Sequence, residues 1–329
     1  MKSTENMASL PYILHFGPRL FTMIWGGTSL AAFKGLHSEL DSVGESWELS
    51  AVPGRESVAD TPAVAGFTLP ELAVRYGEML LGRRSVARYG TVFPLLVKFI
   101  ETAADLSIQV HPGDALAAAR HGSLGKAEMW YIIDTRPGAV IKAGLNRQLD
   151  PDSYRTAVAD GTFAGAVATY ESHPGDSFFI PAGRVHSIGA GNLLAEIQES
   201  CDVTYRIFDY NRPGLDGRPR ELHTGLAADA IDYNVLPDYR NTPEPTADPA
   251  TERVVACDHF TVDHVTLDGT HIVAPAGESF VVVMALDGEA TVACGADTYS
   301  LRRGDTVLLP ACAPDATLSG RAKLLVAYI

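Results

Sequence analysis

Gly175-Asp176-Ser177-Phe178-Phe179-Ile180-Pro181-Ala182 returns near the end of the chain as Gly304-Asp305-Thr306-Val307-Leu308-Leu309-Pro310-Ala311. In each copy the Gly-Asp pair suits a turn and the apolar run a strand. Both therefore read as the same hairpin of a double-sheet β-barrel. The first copy continues Gly183-Arg184-Val185-His186 and the second Cys312-Ala313-Pro314-Asp315. The second keeps the architecture and lacks the histidine.

What that histidine belongs to is set by Leu106-Ser107-Ile108-Gln109-Val110-His111-Pro112. As a strand, alternation puts Ser107, Gln109 and His111 on one face and Ile108 and Val110 on the other. Lys126 and Glu128 repeat the period ahead of the apolar run Met129-Trp130-Tyr131-Ile132-Ile133. Gln109, His111, Glu128 and His186 then outline a metal site built on strands. Two His, a Glu and a Gln without a nearby Cys fit a Zn²⁺ held by nitrogen and oxygen ligands. Two His plus a carboxylate also serve non-haem Fe(II) oxygenases, so ligand types leave the metal open. Taken singly, each histidine reads equally well as a hydrogen-bonded structural residue; the shared face favours the metal.

Downstream, Arg206 lies between Tyr205 and Ile207 in a strand-like run. It either pairs with a buried carboxylate such as Asp202 or Asp209, which this segment alone favours, or reaches a ligand. Lys126, Arg206 and Arg212 with Ser107 would make a receptor for a phosphate. No Gly-rich phosphate loop competes for that role.

Around these motifs, Trp25-Gly26-Gly27 reads as a turn, Ser46–Ser50 as an alternating strand and Pro94–Ile100 as a buried one. A helix is expected over Leu69–Leu81, with Pro70 in its first turn and Leu72, Val74, Met79 and Leu80 at helical spacing. Others are expected over Asp114–His121 and over Pro151–Asp160, the latter starting near Asp150 or Asp152. The proline-rich polar stretch 241–252 marks a linker. It separates residues 1–240, a metal-bearing catalytic domain with an N-terminal extension and short helices, from 253–329, a β domain without ligands.

The length of 329 residues allows a sizeable core. A net charge of −14 argues against a general nucleic-acid binder, which needs a basic footprint. It leaves a small anionic substrate open, because local Lys and Arg outweigh distant acids. Apolar runs reach only strand length, so no membrane span is expected. Cys201, Cys257, Cys294 and Cys312 show no CxxC spacing, and Met1–Ser9 has no apolar signal core. A cytoplasmic protein with reduced thiols is the expectation.

Six segments, in order, carry a resemblance: Gly-Glu-Ser-Trp-Glu-Leu-Ser (44–50), Pro-Leu-Leu-Val-Lys-Phe-Ile (94–100), Leu-Ser-Ile-Gln-Val-His-Pro (106–112), Gly-Lys-Ala-Glu-Met-Trp-Tyr (125–131), Pro-Ala-Gly-Arg-Val-His-Ser (181–187) and Gln-Glu-Ser-Cys-Asp-Val-Thr-Tyr-Arg (198–206). They resemble type I mannose-6-phosphate isomerases over residues 10–225, in the short bacterial form that lacks a large helical insertion. The resemblance implies a mainly β fold of two cupin-type (jelly-roll) β-barrels with a few short helices. It implies a metal-dependent aldose–ketose isomerase that interconverts mannose 6-phosphate and fructose 6-phosphate through a cis-enediolate. One Zn²⁺ per chain would sit on Gln109, His111, Glu128 and His186.

The same resemblance gives Arg206 an active-site role, shifting its balance towards a ligand, and gives Ser107 and Lys126 a phosphate-binding role. The inner carboxylate falls on Glu196. That residue is the candidate proton carrier, since a desolvated glutamate can reach a useful pKa; Lys126, a histidine and a metal-bound water are alternatives. Cys201 stands where serine is common, and the shorter chain implies a more open cleft. A phosphorylated hexose is the expected partner, and the oligomeric state is left open. The rivals are a non-catalytic sugar-phosphate-binding cupin, an Fe(II) cupin oxygenase and a storage cupin. The intact ligand set with Arg206 and Lys126 speaks against the first, and the clustered polar face against the last.

Overall fold

The computed structural model describes residues 9–329, so the signal-peptide reading of the N-terminus lies outside the described residues. The two Gly-Asp copies fold alike down to single hydrogen bonds. Gly175 (φ +95°) and Gly304 (φ +86°) both take a backbone conformation that glycine adopts at little cost. The aspartate after each glycine closes the turn: Asp176 Oδ2 accepts from His173 N at 2.9 Å and Asp305 Oδ2 from Arg302 N at 2.8 Å. The apolar runs become strands Ser177–Ile180 and Thr306–Leu309. These pair antiparallel with Glu128–Tyr131 and Val281–Met284.

The chain divides into two compact units that are not contiguous in sequence. The described residues up to Pro18, Glu48–Pro94 and Pro243–Ile329 form a C-terminal unit; Arg19–Trp47 and Leu95–Thr242 form a central unit. Residues 48–94, assigned from sequence to the metal-bearing domain, thus group with the C-terminal segment. The reason is backbone pairing: Arg83 N donates to Gly277 O and Arg84 N to Glu278 O. Leu14–His15 likewise pairs with the strand Thr306–Leu309. The expected linker is partly strand, at Glu244–Pro245 and from Thr251 onward.

The C-terminal unit holds an eight-stranded sheet, in which Thr261–Val273 and Ala316–Tyr328 pair in one unbroken antiparallel register. Its core is apolar, including Val265, Val283, Leu309, Leu324 and Val326. The central unit has two sheets. A five-stranded one runs Tyr205–Phe208, Ile108–Val110, His186–Ile188, Val140–Leu145, Val167–Glu171; a six-stranded one runs Arg19–Gly27, Val43–Leu49, Leu95–Glu101, Asn192–Glu199, Glu128–Thr135, Ser177–Ile180. The fold is mainly β with short helices, and among the described residues the sheets are open in their hydrogen-bonded order.

Asp114–His121 and Pro151–Ala159 are helices, the second capped by Asp150, which accepts from the Asp152 and Ser153 amides. The helix expected over 69–81 is shorter. Leu69–Tyr76, closed by a reciprocal Thr68–Glu71 cap, stops at Gly77 (φ +49°), and Glu78–Leu81 is a separate turn. Leu72 and Leu80 are buried, but Val74 and Met79 face solvent: Val74 lies two residues, about 200°, round the same helix from Leu72, and Met79 follows the break. Trp25-Gly26-Gly27 is not a turn; it ends the strand Arg19–Gly27. A Cβ on Gly27 would collide with the Glu101 carboxylate, so the glycine serves close approach. Val43–Leu49 and Leu95–Glu101 are buried almost throughout, so the first does not alternate as expected. No described helix is long and apolar enough to cross a membrane, and none of the four cysteines is in a disulfide.

Candidate active site and metal centre

Strand register within the central unit assembles the site. Across the five-stranded sheet, Arg206 lies opposite Gln109 and Gln109 opposite His186, a single row over three neighbouring strands. Cross-strand partners share a face, so these three side chains project together. Ser107 and His111 flank the strand Ile108–Val110 with the same alternation. In the six-stranded sheet, Lys98, Glu196 and Trp130 form a corresponding row. Glu128 lies two residues before Trp130, on the same face. The two faces meet where Glu128 Oε1 lies 3.2 Å from His186 Nε2 and Oε2 lies 3.5 Å from His111 Nε2.

Backbone carbonyls fix what the histidines present. A carbonyl only accepts, so His111 Nδ1–H donates to Val203 O at 3.0 Å and His186 Nδ1–H to Arg184 O at 2.8 Å. Each Nε2 is then left with its lone pair turned inward. Ligand atoms of His111, Glu128 and His186 lie within 4.8 Å of one another, all three residues buried. Among the described residues, His111 Nε2 and both Glu128 oxygens have no hydrogen-bond partner. Electron-rich atoms turned on one another in a buried site are costly alone and suited to a shared cation.

The protonation equilibria agree. Burial holds both histidines well below their ordinary range, His186 at about 3, so they are neutral donors at pH 7. Burial also raises the Glu128 carboxyl, with Lys126 Nζ at 3.4 Å a partial counterweight. Gln109 is placed differently from the expectation: its Nε2 faces His186 Nε2 at 3.2 Å, while its Oε1 accepts from Ser107 Oγ at 3.1 Å. A half-turn of the terminal amide would exchange them.

Glu196 departs from its expected chemistry. Its oxygens accept from Lys98 Nζ at 2.8 Å and Trp130 Nε1 at 2.9 Å. Burial opposes ionisation, yet Lys98 and Lys126 outweigh it and hold the carboxyl below its ordinary range. It is a fixed anion rather than a carboxyl raised towards neutrality. Lys98, missed in the sequence, is buried and held protonated by Glu196 and Glu45 against its own desolvation. The available signal was a lysine inside a wholly apolar strand, which must find a carboxylate.

Arg206 does not make the salt bridge that its segment alone favoured. Asp209 is taken by Arg220, at 2.6 Å, and by Arg212, at 3.0 Å. Arg206 instead donates from Nη1 to Glu221 O at 2.9 Å, and its Nε has no partner among the described residues. It lines a cavity of about 190 Å³ with Ser107, Gln109, Lys126, His186 and Glu196. This is below the roughly 300–1,000 Å³ of drug-sized pockets, so a small ligand fits it. Arg212 is not on that wall: its guanidinium pairs with Asp209 and lies 5.4 Å from the centroid of the Tyr210 ring. Arg220 lines the cavity in its place.

The family pattern described as "Phosphomannose isomerase type I, catalytic domain" matches residues 13–172, and "Mannose-6-phosphate isomerase, cupin domain" matches residues 250–329. Mannose-6-phosphate isomerase ManA of Bacillus subtilis is 34% identical over 96% of this chain and 98% of its own. This chain belongs to the type I phosphomannose isomerase family. Within that family, the mannose-6-phosphate isomerase of Streptococcus mutans is 32% identical over 87% of this chain and 89% of its own. The crystal structure of mannose 6-phosphate isomerase from Bacillus subtilis superposes with a TM-score of 0.89 at 31% identity, covering 97% of this chain and all of that one.

Proposed function

We propose that this phosphomannose isomerase family member is a metal-dependent enzyme that interconverts mannose 6-phosphate and fructose 6-phosphate through a cis-enediolate. The observation that carries this reading is the buried triad of inward lone pairs, His111, Glu128 and His186, beside an arginine without a carboxylate partner. His111, His186 and Glu128, with Gln109 after rotation of its amide, would hold one cation per chain, and neutral imidazoles with oxygen donors suit Zn²⁺. When bound, the ion supplies Lewis-acid polarisation of a sugar oxygen.

The remaining roles belong to the protein's own groups. Ser107 and Lys126 hold and orient the phosphorylated hexose. Arg206, in one row with Gln109 and His186, offers a fixed positive charge to the oxygen that becomes anionic in the enediolate. Lys98 and Trp130 keep Glu196 ionised and oriented. Each Glu196 oxygen keeps a further lone pair for a proton, although the lowered carboxyl makes it a weak base. The proposal includes a cupin-type jelly-roll barrel for each unit and a cytoplasmic location.

The test is a coupled assay for fructose 6-phosphate run without oxygen, beside elemental analysis of the purified protein. Turnover with about one metal per chain is expected. Sugar-phosphate binding without turnover would establish the non-catalytic reading. Product formed only with oxygen would establish the oxygenase.

A further inference from the structure

The chain leaves the five-stranded sheet after Phe208 and returns to it at His223, whose N–H donates to Arg206 O at 2.7 Å. Between them runs a hairpin closed by the Pro213–Pro219 bridge and by Gly214 N donating to Arg218 O at 2.7 Å. Its neck is organised by the buried Asp209. Arg220 binds Asp209 side-on, Nε to Oδ2 and Nη2 to Oδ1, both at 2.6 Å. Arg212 reaches only Oδ1, at 3.2 and 3.0 Å. Directly after Asp209, Tyr210 (φ +57°) and Asn211 (φ +53°) hold the left-handed conformation that non-glycine residues rarely take. Such a turn persists only where its surroundings fix it, and here the ion pairs across the neck do so.

One carboxylate thus answers two guanidiniums, and the neighbouring Arg206 has no carboxylate partner among the described residues. Arg206 and Arg220 both line the cavity. Side-on pairing uses Nε and Nη2 of Arg220 and leaves its Nη1 without a partner among the described residues. Arg206 Nε is likewise unpartnered. Two guanidinium groups that line the cavity therefore have donors to spare. That pattern suits a doubly charged phosphate monoester, whose oxygens match the guanidinium fork.

We propose that Arg220 is a substrate-binding residue that takes the phosphate of the sugar, with Asp209 as its positioning residue. This assignment rests on the isomerase reading above. It gives the role once expected of Arg212 to the other arginine on Asp209.

The test compares Arg220→Gln, Arg220→Lys and Arg212→Gln in the metal-loaded enzyme, each with metal content measured as the check on folding. Charge-assisted contacts of this kind predict that Arg220→Gln raises KM for mannose 6-phosphate about 30-fold, with kcat within about 3-fold of the parent. The inhibition constant of inorganic phosphate should rise in parallel. Arg220→Lys should recover part of both, and Arg212→Gln should leave both within about 3-fold. Asp209→Asn should raise KM in the parent but add little in the Arg220→Gln background, the signature of acting through that residue.

An unchanged KM and phosphate inhibition in Arg220→Gln would overturn the assignment. So would an equal loss in Arg212→Gln, which would mean that only hairpin integrity matters. Should the parent show no isomerase activity, the functional reading fails. Calorimetry with inorganic phosphate then decides the Arg220 assignment separately: weaker binding by Arg220→Gln supports it, and unchanged binding overturns it.

Discussion

The hairpin at 175–182 and its echo at 304–311 share a turn, a strand and a pairing pattern, yet only the first leads to the cluster His111, Glu128 and His186. The registers align them residue by residue. Glu128 lies opposite Ile180 in the first and Val281 opposite Leu309 in the second. The same spacing that carries the first copy to His186 carries the second to Asp315, which is exposed. The carboxylate position is thus a buried valine in the C-terminal unit, and the imidazole position a solvated acid. A glycine of positive φ, a turn-closing aspartate and four strand residues suffice to specify the scaffold. Whether it binds a cation depends on a few inward positions, each costly to make polar unless all are.

The comparison breaks most sharply if the two copies respond alike to loss of the aligned residue. His186→Ala should remove bound metal and lower isomerase turnover by roughly a thousandfold, the scale of several kcal/mol of lost transition-state stabilisation. Asp315→Ala should leave metal content and turnover as they were. Metal analysis with the coupled assay on both variants reads this directly.

Within the central unit, Arg206→Ala separates charge from metal. Removing one preorganised donor to a developing oxyanion costs about a hundred- to a thousandfold in kcat, and that loss is expected here. Metal content should stay intact, because Arg206 is a neighbour of the ligand set and not a member. Unchanged turnover in the purified variant would remove Arg206 from the chemistry.

The shared face of Ser107, Gln109 and His111 was legible because a strand of period two displays it without knowledge of partners. Lys98 and Arg220 were not. Lys98 acquires its meaning from Glu196, the residue opposite it on a strand about a hundred residues away. Arg220 and Arg212 stand in the same arginine-rich segment, and only the hairpin bridge at Pro213–Pro219 decides which lines the cavity. The Glu196 pKa was misjudged for the same reason, since burial alone raises it and Lys98, together with Lys126, reverses the sign. Glycine misled at Gly26-Gly27, where absence of a Cβ serves close approach inside a strand rather than a turn. The discontinuous C-terminal unit was hidden because Leu14–His15 finds its partner at Val307–Leu308.

A smaller effect sharpens the comparison through pH. In metal-free protein, His111 and His186 titrate below the ordinary 6.5, so their contribution is complete above that pH and is lost as pH falls towards their folded values. The loss is about 1.4 kcal/mol per pH unit for each. Glu128 works oppositely: its carboxyl is raised above 4.5, so stability is lost as pH rises from there. A cation on neutral imidazoles and an ionised Glu128 cancels that second penalty. Added Zn²⁺ should therefore raise Tm more at pH 8 than at pH 5, as calorimetry would read. An increment independent of pH would contradict this ionisation scheme.

The most direct measurement is anomalous X-ray scattering at the metal edge from crystals of active enzyme. The account predicts one strong peak about 2.0–2.2 Å from His111 Nε2, His186 Nε2 and a Glu128 carboxylate oxygen, with Gln109 Oε1 turned towards it. Fully active crystals with no peak there, or with the metal bound elsewhere, would contradict it.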